Sequence, residues 1–132
     1  MSSQPQKNRM IFEFNLVPIP KPRMTQRDRW AKRPCVLRYR AFADEMRLLA
    51  RLQNFTLENG LAYEFHLPMP TSWTQKKRLE KLGQLHDQKP DLDNLIKALW
   101  DSLAKEDKTI ASIGQVKKVW ATTAKIIITK QI

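Results

Sequence analysis

The sequence predicts an α+β fold: a small mixed or antiparallel sheet of about four strands, backed by two main helices. Three observations predict it. Strand-like segments with alternating or β-branched apolar residues recur at 10–17, 61–67, 109–120 and 125–132. Apolar stripes at helical spacing occupy 36–53 and 92–103. The order is strand, helix, strand, short helix, helix and two strands, with no internal repeat, which suits one small sheet covered by helices. At 132 residues the chain suits one domain, expected over 10–132, with residues 1–9 a disordered tail.

The first strand is expected over Met10–Val17, where Phe12, Phe14 and Leu16 alternate with Glu13 and Asn15. Pro18, Pro20, Pro22 and Pro34 then keep a basic stretch extended. It carries Lys21, Arg23, Arg27, Arg29, Lys32 and Arg33, with Trp30 among them. It reads as an arm that tracks a phosphate backbone, with Trp30 placed to stack on a base or to plug the core edge.

The spacing of Tyr39, Phe42, Met46 and Leu49 predicts a helix over 36–53, with Leu48 and Leu52 widening its stripe. Arg38, Asp44, Arg47 and Arg51 are expected to face away. Asn59-Gly60 marks a turn into a strand whose Leu61, Tyr63, Phe65 and Leu67 share one face. A short basic helix follows over 74–82, where Lys76, Lys77 and Arg78 are candidate DNA contacts. His86-Asp87 in the next loop reads as incidental, and His66 as structural.

Asp91, after a proline and before a helical stripe, is a natural N-cap. Leu92, Leu95, Ile96, Leu99, Trp100 and Leu103 form the buried side of that helix; Asp93, Lys97 and Asp101 line the other. Lys105-Glu106-Asp107-Lys108 is a charged turn. Thr109–Trp120 is expected to be a strand bent near Gly114, joined by a hairpin connection at 122–124 to the last strand, Lys125–Ile132.

Charge narrows the function. Lys and Arg number 24 against 13 Asp and Glu, a net +11, which implies a polyanionic partner, most often nucleic acid. No apolar run approaches the roughly 20 residues that span a bilayer, and the polar first residues lack the apolar core of a signal peptide. Single Cys35 rules out an internal disulfide and a multi-cysteine zinc site. The cytosol is the expected location.

Within Lys89-Pro90-Asp91-Leu92-Asp93-Asn94-Leu95-Ile96-Lys97, two carboxylates meet at a helix mouth and a lysine lies one turn further in. Asp91 alone is an ordinary cap, and Asp93–Lys97 alone an ordinary surface pair. Together, with a third acid in the Glu106-Asp107 turn, they make a candidate site for a hard cation such as Mg²⁺. Such a site in a basic protein points to phosphodiester chemistry, with the lysine relieving charge on the phosphate. The competing class is a non-catalytic nucleic-acid-binding protein.

The stretch KPDLDNLIKALWDSL, residues 89–103, resembles the RusA family of Holliday-junction resolvases, found in bacteria and phages. The family pattern is Asp-Leu-Asp-Asn, a lysine four residues past the second aspartate, then Asp-x-Leu. The resemblance extends loosely to Pro18–Arg23 and to the terminal strands. It implies that Asp91 and Asp93 are metal-binding aspartates and Lys97 the catalytic lysine. It also implies Mg²⁺, with Mn²⁺ as a substitute, and a homodimer that makes paired nicks in four-way DNA. The family's third aspartate stands in an Asp-Asp-x-Gln-Val/Ile segment at a strand start, and this chain departs there. Aligning Asp107 with that aspartate, and Glu106 with its neighbour, keeps an acid and leaves Lys117 or Lys118 at the family's downstream basic position. The rival alignment sets Gln115-Val116 on the Gln-Val and leaves Ser112 in place of a carboxylate. Another branched DNA remains an alternative substrate.

Overall fold

Alternation in the second strand decides how the chain packs. Leu61, Tyr63, Phe65 and Leu67 all lie within 5% of full burial, because successive side chains of a strand point to opposite faces. The computed structural model describes residues 9–23, 33–103 and 110–131. In chain order the elements are β1 (Arg9–Phe14), α1 (Pro34–Leu52), β2 (Ala62–Pro68), α2 (Gln75–Lys81), α3 (Leu92–Leu103), β3 (Val116–Ala121) and β4 (Lys125–Gln131). This is the expected α+β order. Arg9, assigned to the tail by the sequence, already pairs with Gln131 in β1.

The four strands form one mixed sheet in the order β1-β4-β2-β3. β4 is antiparallel to both β1 and β2, whereas β3 runs parallel to β2. Their registers align Phe12, Ile128, Tyr63 and Val116 in one row across the sheet, and Phe14, Ile126, Phe65 and Lys118 in the next. The apolar members of these rows form the core with Phe42 and Met46 of α1 and Leu95, Ala98 and Leu99 of α3. A lysine thus sits in a row otherwise made of core residues.

The order corrects two expectations. Thr122–Ala124 is not a hairpin connection, because β3 and β4 are not neighbours. It carries the chain past β2, a span of about 10 Å that three residues cover readily. β3 also begins later than expected, at Val116. The residues before it run beside Leu61 without strand pairing: Gly60 N–H donates to Ser112 O at 3.0 Å and Gly114 N–H to Leu61 O at 2.8 Å. A Cβ on Gly114 would lie 3.1 Å from Leu61 O, so only glycine permits this approach without a shift.

α1 starts with Pro34 in its first turn, where the missing N–H costs nothing. Its buried stripe is Val36, Phe42, Ala43, Met46 and Ala50. Leu48 and Leu52, expected to widen that stripe, are instead 53% and 70% exposed. The small Ala43 and Ala50 take the inner positions and let α3 approach closely. Arg47 faces solvent as expected, and its guanidinium also donates to Ser102 O at 3.3 Å and pairs with Asp44. A cation there satisfies a carbonyl in the last turn of α3. Among the described residues no helix is long and apolar enough to cross a membrane.

Candidate nuclease site

Asp91 caps α3 through its backbone: its carbonyl accepts from Asn94 N–H at 3.1 Å and from Leu95 N–H at 3.2 Å. It stays outside the helix, so its side chain is not bound to the helical spacing that would separate it from Asp93 by roughly 200°. Asp93 lies in the first turn, and Lys97 one turn on, with Nζ 3.9 Å from Asp93 Oδ2. These two side chains are 70% and 59% exposed, which leaves both open to a ligand from solution. The buried side of α3 is Leu95, Ala98, Leu99 and Ser102, so core packing aims the charged face outwards. Its stripe is completed at the sheet by Trp100, whose Nε1–H donates to the Tyr63 hydroxyl at 3.2 Å.

The basic arm enters beside this face. Lys21 N–H donates to Asn94 O at 3.1 Å, and the Lys21 ammonium pairs with Asp101. Asp101 also raises the Tyr39 hydroxyl pKa, after burial, which is the larger cause. Arg33 Nη2 donates to Arg23 O at 2.8 Å, which brings the two ends of segment 24–32 together. Lys21, Pro22, Arg23, Asn94 and Lys97 line an open depression of about 440 Å³. Lys97 therefore opens onto the same hollow as the start of the arm. Arg27, Arg29, Trp30 and Lys32 lie outside the described residues, as do Glu106 and Asp107.

α2 presents the other candidate cations. Thr74 caps it, its hydroxyl accepting from Lys77 N–H at 3.2 Å. Lys76 is exposed. Lys77 Nζ sits 4.4 Å above the Trp73 ring, a cation–π contact. Arg78 turns inwards, donating to Pro70 O at 2.8 Å. Trp73 packs on Trp120 with ring centroids 4.7 Å apart, and Trp120 on His86 at 3.8 Å.

His86, read from the sequence as incidental, is only 6% exposed. Burial lowers its pKa, and the Lys118 ammonium lowers it further. Neutral imidazole leaves Nδ1 to accept from Gln88 N–H at 3.3 Å. The loop around it is laced to β3. Gly83 N–H donates to Trp120 O, Trp120 N–H to Gln84 O, and His86 N–H to Lys118 O, all within 3.0 Å. Lys118 Nζ then donates to Gln88 O and, at 2.6 Å, to Pro90 O. The alternation Val116, Lys118, Trp120 held the available clue, a lysine on the inward face of a strand. His66 accords with a structural role, its Nε2 lying 2.7 Å from Glu64 Oε1.

Among the described residues no three acidic, histidine or cysteine side chains cluster closely enough to hold a metal together. Asp91 and Asp93 bring carboxylate oxygens to one helix mouth, a donor type that suits a hard cation retaining several waters. β3 opens at Val116 with Gln115 just before it, where the family pattern places its Gln-Val. In that register Ser112 and Ile113 occupy the acidic positions, which leaves Glu106 and Asp107 as the acids nearest in sequence.

The family model described as Endodeoxyribonuclease RusA matches residues 13–130, a span that takes in the three helices, all of β2 and β3, most of β4, the end of β1 and both carboxylates. None of the curated proteins compared matches the chain. With nearly its whole length matched, the chain belongs to the RusA family of endodeoxyribonucleases, nucleases that resolve Holliday junctions.

Proposed function

We propose that this protein is a Mg²⁺-dependent endonuclease that resolves four-way DNA junctions by paired phosphodiester hydrolysis. Asp91 and Asp93 at the mouth of α3, with Lys97 one turn on and facing a basic hollow, carry the reading. Asp91, Asp93 and Asp107 are the residues that would hold the ion, with Mn²⁺ as a substitute. Mg²⁺ bound there supplies charge relief on the phosphate and a more acidic water. Lys97 contributes a positive charge where negative charge grows on the phosphoryl oxygens. Its geometry suits that role, because the long exposed stem can swing from Asp93 to a bound phosphate.

The arm residues Arg23, Arg27, Arg29, Lys32 and Arg33, with Lys76 and Lys77 of α2, bind the junction arms through phosphates. Such contacts recognise shape more than sequence. A four-way junction has two strands to cut and two-fold symmetry, which a homodimer with one site per protomer matches. The cytoplasm of a bacterial or phage-infected cell is where such a substrate arises.

Incubating a synthetic four-way junction with Mg²⁺ tests this, with wild type compared to Asp91→Asn. Wild type should give symmetric paired nicks, and the variant should bind without cutting. Binding with no cutting by wild type would make the chain a non-catalytic DNA-binding protein; preferential cutting of flaps or three-way forks would reassign the substrate.

A further inference from the structure

Lys118 projects from the inward face of β3, in register with Phe65. It reaches no carboxylate in the bonds it makes. Its ammonium is spent on two backbone carbonyls, those of Gln88 and Pro90, the latter at 2.6 Å. Pro90 immediately precedes Asp91, whose own carbonyl starts α3. The backbone carbonyl of Lys118 itself accepts from His86 N–H at 2.9 Å. Lys118 therefore grips the loop at three points between His86 and Pro90.

Nothing else in the described structure holds this last stretch as directly. The loop leaves the edge of β3 after His86, where backbone pairing ends, and must deliver Asp91 at a fixed place beside Asp93. Two carbonyls drawn to one ammonium fix the backbone at two positions two residues apart, and charge-assisted hydrogen bonds are about twice as strong as neutral ones. A partly buried lysine in a row of core residues is costly unless its charge is satisfied, and the two carbonyls satisfy it.

We propose that Lys118 is the positioning residue of the metal-binding carboxylates: it locks the Gln88–Pro90 backbone so that Asp91 meets Asp93 at the mouth of α3. The inference rests on the reading of Asp91 and Asp93 as cation ligands, and it adds the residue that presets their separation. Partners that orient metal ligands are worth about 10- to 100-fold in metal affinity.

The test compares wild type, Lys118→Met and Lys118→Arg by Mg²⁺ calorimetry on DNA-free protein, amide hydrogen exchange and junction cleavage. Lys118→Met should bind Mg²⁺ about tenfold more weakly and exchange amides 88–95 faster, while melting temperature and junction affinity stay near wild type. Lys118→Arg, which can still donate to both carbonyls, should restore most of the Mg²⁺ affinity. Mg²⁺ binding that is absent in wild type, or unaltered in Lys118→Met, overturns the proposal; so does unaltered exchange at 88–95. A wild type that binds Mg²⁺ in the Lys118-dependent way yet cuts no junction would leave the positioning role standing and overturn the proposed function instead.

Discussion

The Lys21 ammonium is paired with the Asp101 carboxylate on α3, while the Lys21 backbone N–H donates to Asn94 O. One residue thus docks the basic arm to α3 by both its main chain and its side chain. The pair is partly exposed, so it adds at most about 1 kcal/mol to stability. Its consequence is geometric, since it sets where the arm begins relative to Lys97.

With its ammonium on Asp101, Lys21 is expected to position the arm and not to contact phosphate. Lys21→Met should therefore weaken junction binding without changing the slope of log affinity against log salt. Lys76→Met, on the exposed face of α2, should lower that slope by about 0.9. Fluorescence anisotropy titrations from low to moderate salt distinguish them. Equal slope losses would place Lys21 on the phosphates.

Lys97→Met should cut the rate of the chemical step by about 10²- to 10³-fold, the usual cost of removing one group that stabilises transition-state charge. Junction affinity should change little. Single-turnover cleavage with saturating enzyme measures the step directly. A loss confined to affinity would make Lys97 a DNA contact only.

The turn after α3 yields a sharper comparison. Asp107→Asn should abolish cleavage, and Glu106→Gln should leave it within a few-fold, if Asp107 supplies the third carboxylate. The reverse pattern would transfer that role to Glu106. Full activity in both would mean that Asp91, Asp93 and the DNA phosphate suffice.

His86 predicts a pH dependence. Its ordinary pKa is 6.5 and is lowered in the folded protein, by burial first and the Lys118 ammonium second. The unfolded chain therefore takes up a proton at higher pH than the folded one, and protonation favours unfolding. The stability contributed by neutral His86 is present above about pH 6.5 and is lost as pH falls towards the lower folded value. His86→Phe keeps a ring against Trp120 and should flatten that acid-side loss. Urea denaturation between pH 7.5 and 5 measures it.

The core should respond as a close-packed interior. Leu99 is fully buried between α3, α1 and the sheet. Leu99→Ala should cost about 3–5 kcal/mol by chemical denaturation. Leu48→Ala and Leu52→Ala, on the exposed side of α1, should each cost under about 1 kcal/mol.

The sequence by itself determined the order of the regular elements, the core residues of β2, the apolar side of α3 with Leu95 and Leu99 at its centre, and the spacing of Asp91, Asp93 and Lys97. Those follow from local rules: alternation, helical spacing, and a cap after a proline. The strand order needed tertiary structure. Three residues at 122–124 can either close a hairpin or step past a strand, and the pairing of β3 and β4 with opposite edges of β2 selects the second. Leu48 and Leu52 read as core because bulk apolar residues outweigh alanines in a sequence pattern, whereas packing against α3 favours the small Ala43 and Ala50. The contacts of Lys118 and His86 were beyond the sequence for a different reason. Their effect runs through backbone carbonyls and ring contacts between segments some thirty residues apart, which no local pattern encodes. Sequence chose the carboxylates; the register of β3 against the 83–90 loop decided where the first of them stands.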